Sequence, residues 1–226
     1  MFIVFTGLDG TGTSSIAEKL AAMDEGSALV KTPSKEYGER EIIDKEVRKY
    51  SSIGHFLYYL SSSVYMSDYI KANLDYKTKN VYCVRYLIDT YVSNKVAGVP
   101  IDFSYNILGN ELLKPDLIVF VNVEENIREK RITARGKSEL DHVLDDEKTR
   151  NAFLSEFKKA LKGEKVYYLD NTKEGIDDAV KELYEYIKKQ KWYFRKGRLR
   201  LWGRLKMVYA TLPGKAKKNF GKSIIP

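Results

Sequence analysis

The chain opens on a run of apolar and β-branched positions, Phe2-Ile-Val-Phe5, that breaks at Gly7 and gives way to a helical pattern starting at Ile16-Ala-Glu-Lys-Leu20. An unbroken apolar run is the mark of a strand buried on both faces, and the glycines after it mark a loop. The same alternation continues. Short strands are predicted at Ser27–Val30, Asn80–Val84, Leu117–Val121 and Val166–Leu169. Helices are predicted at Ile42–Tyr50, His55–Leu74, Ile127–Arg135, Glu139–Lys162 and Gly175–Lys189. Within His55–Leu74, Phe56, Tyr59, Leu60, Ser63 and Val64 recur at helical spacing, and Ile176, Val180, Leu183 and Ile187 form one stripe of the last helix. Ser34–Arg40 reads as a loop, Pro33 stops the second strand and Gly136-Lys-Ser breaks the helical pattern. Strands alternating with helices predict a three-layer α/β domain with a central parallel sheet of about five strands, the first of them central.

The stretch between the first strand and first helix carries the candidate chemistry. Gly7, Gly10 and Gly12 are spaced as in a phosphate-binding loop, where glycines turn backbone N–H groups inward around a phosphate. The helix N-terminus adds partial positive charge at the same spot. Gly7, Gly10, Thr11, Gly12, Thr13, Ser14 and Ser15 are the expected nucleotide-binding residues, with Ser14 at the place of the Mg²⁺-binding hydroxyl. One residue departs: the pattern wants Lys at position 13, and the chain has Thr13. An ordinary strand-to-helix turn is the plainer reading of the same stretch.

Charge divides the chain. Residues 188–226 hold 13 Lys or Arg and no Asp or Glu, while the other 187 residues hold 26 basic and 31 acidic side chains. The net charge of +8 is therefore a mildly acidic body, 1–188, followed by a basic tail, 189–226. Wound as a helix, the tail puts Leu201, Trp202, Leu205, Val208, Tyr209 and Leu212 on one stripe. Three readings stand: a helix lying on an anionic membrane surface, a helix docked on protein, or a nucleic-acid arm, the last without any recognised motif. The single cysteine, Cys83, excludes an internal disulfide and a cysteine-rich zinc site. With the glycine loop almost at Met1 and no long apolar run, neither a signal peptide nor a membrane span is expected; the expected location is cytoplasmic, with peripheral membrane contact through the tail.

Residues 1–188 resemble the thymidylate kinase family of P-loop nucleoside monophosphate kinases, in four places. These are Phe5-Thr-Gly-Leu-Asp-Gly-Thr-Gly12, with Asp9 inside the loop; Lys31-Thr-Pro33 at the end of the second strand; Val84-Arg85-Tyr86 after the third; and Lys114–Val121 with Lys130-Arg-Ile-Thr-Ala-Arg-Gly136. The resemblance implies a P-loop kinase fold, ATP and Mg²⁺, and transfer of the γ-phosphate to a nucleoside monophosphate. It assigns Asp9, Arg85, Arg131 and Arg135 to catalysis, Ser14 and Asp9 to the metal, and Lys31 and Tyr86 to the acceptor. Arg131, Arg135 and Lys137 fall in or near an expected lid. A homodimer is a further partner expectation. Besides Thr13, Val84 stands where the family has an aspartate, and Ser62 stands where its long helix has an arginine that holds the acceptor base. Three functions follow: a nucleoside monophosphate kinase, a same-fold kinase of another acceptor at a membrane, or a non-catalytic nucleotide-binding scaffold.

Overall fold

The computed structural model describes residues 1–102, 104, 112–137, 139–172 and 176–190. Five strands form one sheet: β1 Phe2–Thr6, β2 Ala28–Lys31, β3 Val81–Val84, β4 Leu117–Asn122 and β5 Val166–Asp170. Their order is β2-β3-β1-β4-β5 and every pairing is parallel, so β1 is central, as the patterning predicts. Helices α1 Thr13–Met23, α4 Ser52–Asn73, α5 Leu87–Val96, α6 Glu125–Arg135 and α8 Glu147–Ala160 connect the strands. Between β2 and α4, short helices α2 Arg40–Ile42 and α3 Arg48–Tyr50 flank a π-helical turn, Ile43–Val47.

The layers follow from side-chain alternation along the strands. Phe2 and Val4 of β1, with Val81 and Cys83 of β3, face a core that includes Phe56, Leu60, Met66 and Ile70 of α4 and Leu87 of α5. Ile3 and Phe5 therefore point to the opposite face, where α1 contacts β1 and β3 and buries Ile16, Ala17 and Leu20. A second cluster joins Ile118 and Phe120 of β4 to Ile88 and Val92 of α5 and Phe157 and Ala160 of α8.

Two expectations need correction. The helix expected over Glu139–Lys162 is two, α7 Glu139–Val143 and α8, because Asp146 takes an extended backbone and accepts a hydrogen bond from the Thr149 N–H at 2.8 Å, capping a fresh helix. Residues 87–96, where the apolar pattern predicts no element, form α5.

The chain divides into two units, Met1–Lys181 and Glu182–Pro226; the sheet and helices α1 to α8 belong to the first. In the second, residues 182–190 are helical, with Leu183 and Ile187 buried. The tail expected to bind a surface, from Trp192 onward, lies outside the described residues.

Candidate active site

The C-terminal ends of parallel strands open onto a crevice, and here that crevice is a cavity of about 1180 Å³ lined by the glycine loop, Lys31, Arg40, Tyr59, Arg85 and Arg131, among others. The loop from Gly7 to Gly12 must be glycine at these points for steric reasons. A Cβ on Gly7 would lie 2.3 Å from the Val121 carbonyl oxygen, and one on Gly12, at φ 97°, would lie 2.5 Å from Asn171 Nδ2. Thr13 begins α1 with its side chain buried, Ser14 is half-buried and Ser15 is exposed. The first turn of α1 contains no acid to compete with an anion.

Helix α6 braces this loop. Arg128, only 2% exposed, donates from Nη1 to the Asp9 carbonyl at 3.1 Å and is held by Glu125 at 2.6 and 2.8 Å. Arg131 donates to the Thr11 carbonyl at 3.4 Å and to the Asn171 carbonyl at 3.0 Å. Asn171, at the end of β5, donates from Nδ2 to the same Thr11 carbonyl at 2.7 Å. Two donors thus fix the carbonyl of the Thr11–Gly12 peptide, which holds that peptide's orientation. Among the described residues Arg131 has no carboxylate partner, so its charge beside the loop is uncompensated. Arg135 differs in having a carboxylate partner: it pairs with Asp141 at 2.6 Å, as Lys137 does with Asp145. Arg131, Arg135 and Lys137 all line the cavity, Arg131 without a carboxylate partner and the other two paired.

Arg85 sits at the end of β3 with φ 66°, the one non-glycine residue at positive φ among the described residues. Such backbone costs roughly 1–3 kcal/mol and points to a functional constraint. Its side chain explains the strain. Nη2 donates to Asp9 Oδ1 at 2.6 Å, and Nη1 donates to Asp89 Oδ1 at 2.6 Å and to the Gly7 carbonyl. The Cys83 thiol, its pKa pushed up to about 12 by burial, donates to the Arg85 carbonyl. Asp89 also accepts from the Thr6 hydroxyl at 2.7 Å and the Tyr86 N–H at 3.1 Å. Burial opposes the charge on Arg85, but Asp89 and Asp9 outweigh it and hold the guanidinium protonated. Burial raises the Asp89 carboxyl against the pull of Arg85; the pair is ionic at neutral pH because a guanidinium does not surrender its proton.

Of the other expected residues, Asp9 stands at the cavity with its side chain 39% exposed, and Lys31 is exposed on the cavity wall. Tyr86 also lines the cavity, as part of its floor, 1% exposed and with its ring edge-on to Phe2 at 5.2 Å. Sequence reasoning missed Arg128, Asn171 and Asp89. Only Asp89 left a local signal, four residues after Arg85 on a helical start.

The residues present suit a nucleotide and Mg²⁺. The cradle has no room for Cβ atoms, and one hydroxyl with one carboxylate, Ser14 and Asp9, matches an ion that takes few protein ligands beside phosphate. Among the described residues no group of three His, Cys, Asp or Glu side chains forms an independent metal site.

Comparison with known proteins agrees. The chain is 26% identical over 197 residues to a probable thymidylate kinase of Methanocaldococcus jannaschii, covering 83% of this chain and 96% of that one. A probable thymidylate kinase of Methanococcus maripaludis is 25% identical over 193 residues. Among solved structures, thymidylate kinase from Candida albicans superposes with a TM-score of 0.66 at 19% identity, over 84% of this chain and 92% of that one. Deoxyadenosine kinase from M. mycoides gives 0.63 at 20% identity, over 84% and 100%. Residues 5–183 match the thymidylate kinase family model, and the chain belongs to that family.

Proposed function

We propose that the chain transfers the γ-phosphate of ATP, with Mg²⁺, to a nucleoside monophosphate. The observation that carries this is the Arg85–Asp9 pair, held by a strained backbone directly over the glycine loop. Phosphoryl transfer asks a protein for positioning and charge neutralisation. The N–H groups of the loop and of α1 hold the donor phosphates. Ser14 and Asp9 would hold the metal, which when bound would supply positive charge to neutralise the phosphates. Arg85 keeps one Nη2 N–H beyond its bond to Asp9 and turns it to the transferring group. Asp9 orients the attacking oxygen. Arg131 supplies, from α6, the positive charge that Thr13 lacks. The relatives' descriptions as thymidylate kinases support a pyrimidine monophosphate as acceptor.

The test is titration of the full-length protein with Mg²⁺-ATP, followed by Gly12→Val. Binding that survives this substitution unchanged places the nucleotide elsewhere.

The basic segment 189–226 we assign to an anionic membrane surface, on its charge contrast with the body and its apolar stripe. Co-sedimentation with anionic vesicles that weakens in salt supports it; a full-length chain left in the supernatant removes it.

A further inference from the structure

We propose that Arg40 reads the base of the acceptor, and that it selects monophosphates carrying a keto oxygen at pyrimidine C4 or purine C6 over those carrying an amino group there. This rests on the phosphotransfer reading and deepens it. The long helix offers no reader at Ser62, which is 1% exposed and donates to the Tyr59 carbonyl of its own helix at 2.7 Å. The strand order supplies the alternative. The glycine loop follows β1, and α6 and Asn171 follow β4 and β5 on one side of it, so β3 and β2 flank the other side of the crevice. The segment after β2 walls that side, and Arg40 lines the cavity there with its side chain 47% exposed.

The Arg40 guanidinium stands over the Tyr59 ring, 5.9 Å from its centroid, and is hydrogen-bonded through one atom. Its Nε donates to the Tyr59 hydroxyl at 3.0 Å and to Asp44 Oδ2 at 3.3 Å. Asp44 is fixed in turn: it accepts from the Tyr59 hydroxyl at 2.7 Å, and His55 Nε2 lies 3.0 Å from it, with His55 Nδ1 3.1 Å from Asn94 Oδ1. Burial works to raise the Asp44 carboxyl, and His55, Tyr59 and Arg40 outweigh it and hold it low. With Nε spent, the Nη1 and Nη2 groups have no hydrogen-bond partner among the described residues and remain for a ligand. A guanidinium donates and never accepts. A keto oxygen pairs with it, whereas an amino group meets donors and leaves both sides unsatisfied.

The test is equilibrium binding of dTMP, dGMP, dCMP, dAMP and 2-deoxyribose 5-phosphate to the full-length protein and to Arg40→Gln and Arg40→Lys. dTMP and dGMP, with a keto oxygen at that position, should bind about 10-fold more tightly than dCMP and dAMP, one hydrogen bond's worth. Arg40→Gln, which presents both a donor and an acceptor, should erase that preference while leaving 2-deoxyribose 5-phosphate and ATP binding unchanged. Arg40→Lys should weaken it. The assignment falls if the parent binds no monophosphate or shows no keto preference, if the preference survives Arg40→Gln, or if Arg40→Gln weakens the sugar phosphate as much as the nucleotides. A parent that prefers keto bases yet transfers no phosphate upholds Arg40 and defeats the phosphotransfer reading alone.

Discussion

The Arg85 guanidinium lies 2.6 Å from Asp9 and so ties the end of β3 to the middle of the glycine loop, two places 76 residues apart in sequence. The same group neutralises Asp89, whose side chain is 13% exposed. Arg85→Gln should therefore do two separable things. Turnover should fall about 10²–10³-fold through loss of a transition-state cation. Stability to urea should fall by roughly 1–3 kcal/mol because Asp89 loses its partner. A variant with parental kcat would remove Arg85 from the chemistry.

Asn171 is expected to act on nucleotide affinity through the loop. Asn171→Ala removes the 2.7 Å bond to the Thr11 carbonyl and frees the Thr11–Gly12 peptide to turn. The KM for ATP should rise about 5–10-fold, the equivalent of one hydrogen bond, while the KM for the acceptor stays put. Initial-rate kinetics with each substrate varied in turn check this; equal effects on both would mean a general loosening of the fold.

Asp44 gives a pH signature. Its carboxyl is held below the ordinary 3.8 in the folded chain, so its contribution is present above that value and is lost as pH falls through the lowered one. Asp44→Asn should be destabilised at neutral pH by roughly 1–3 kcal/mol, and the gap from the parent should close as pH drops below 3.8. Urea unfolding of both chains across that range decides it; a gap independent of pH would assign the loss to packing.

The sheet was readable because each buried strand is an unbroken apolar run between glycines or polar turns, as Phe2–Phe5 and Leu117–Val121 are. Helix α5 was not, since its ten residues carry Leu87, Ile88 and Val92 among polar neighbours, too short a run for a period to emerge. The break before α8 was hidden for a different reason: Asp146 lies in the charged string Asp145-Asp-Glu-Lys148, where a cap looks like one more surface residue. At the site, the glycine loop, Asp9 and Arg85 have local patterns. Arg128 and Asn171 have none, because tertiary packing alone brings α6 and the end of β5 against Asp9 and Thr11. Ser62 shows the reverse case, a position that a family pattern marks and the fold turns inward.

The central claim is that this loop transfers phosphate without its lysine. The most direct test is the Mg²⁺-dependent appearance of the acceptor's own diphosphate, as distinct from ADP, when the full-length chain is given ATP and each non-adenine monophosphate in turn, with a second panel of deoxynucleosides read by their monophosphates and a Thr13→Lys variant alongside. The structure predicts slow transfer that chelation of Mg²⁺ abolishes, that Arg131→Ala reduces further because it removes the cation beside the loop, and that Thr13→Lys leaves unchanged or speeds. No diphosphate from any monophosphate, and none on adding Thr13→Lys, would contradict it and leave a nucleotide-binding scaffold in its place.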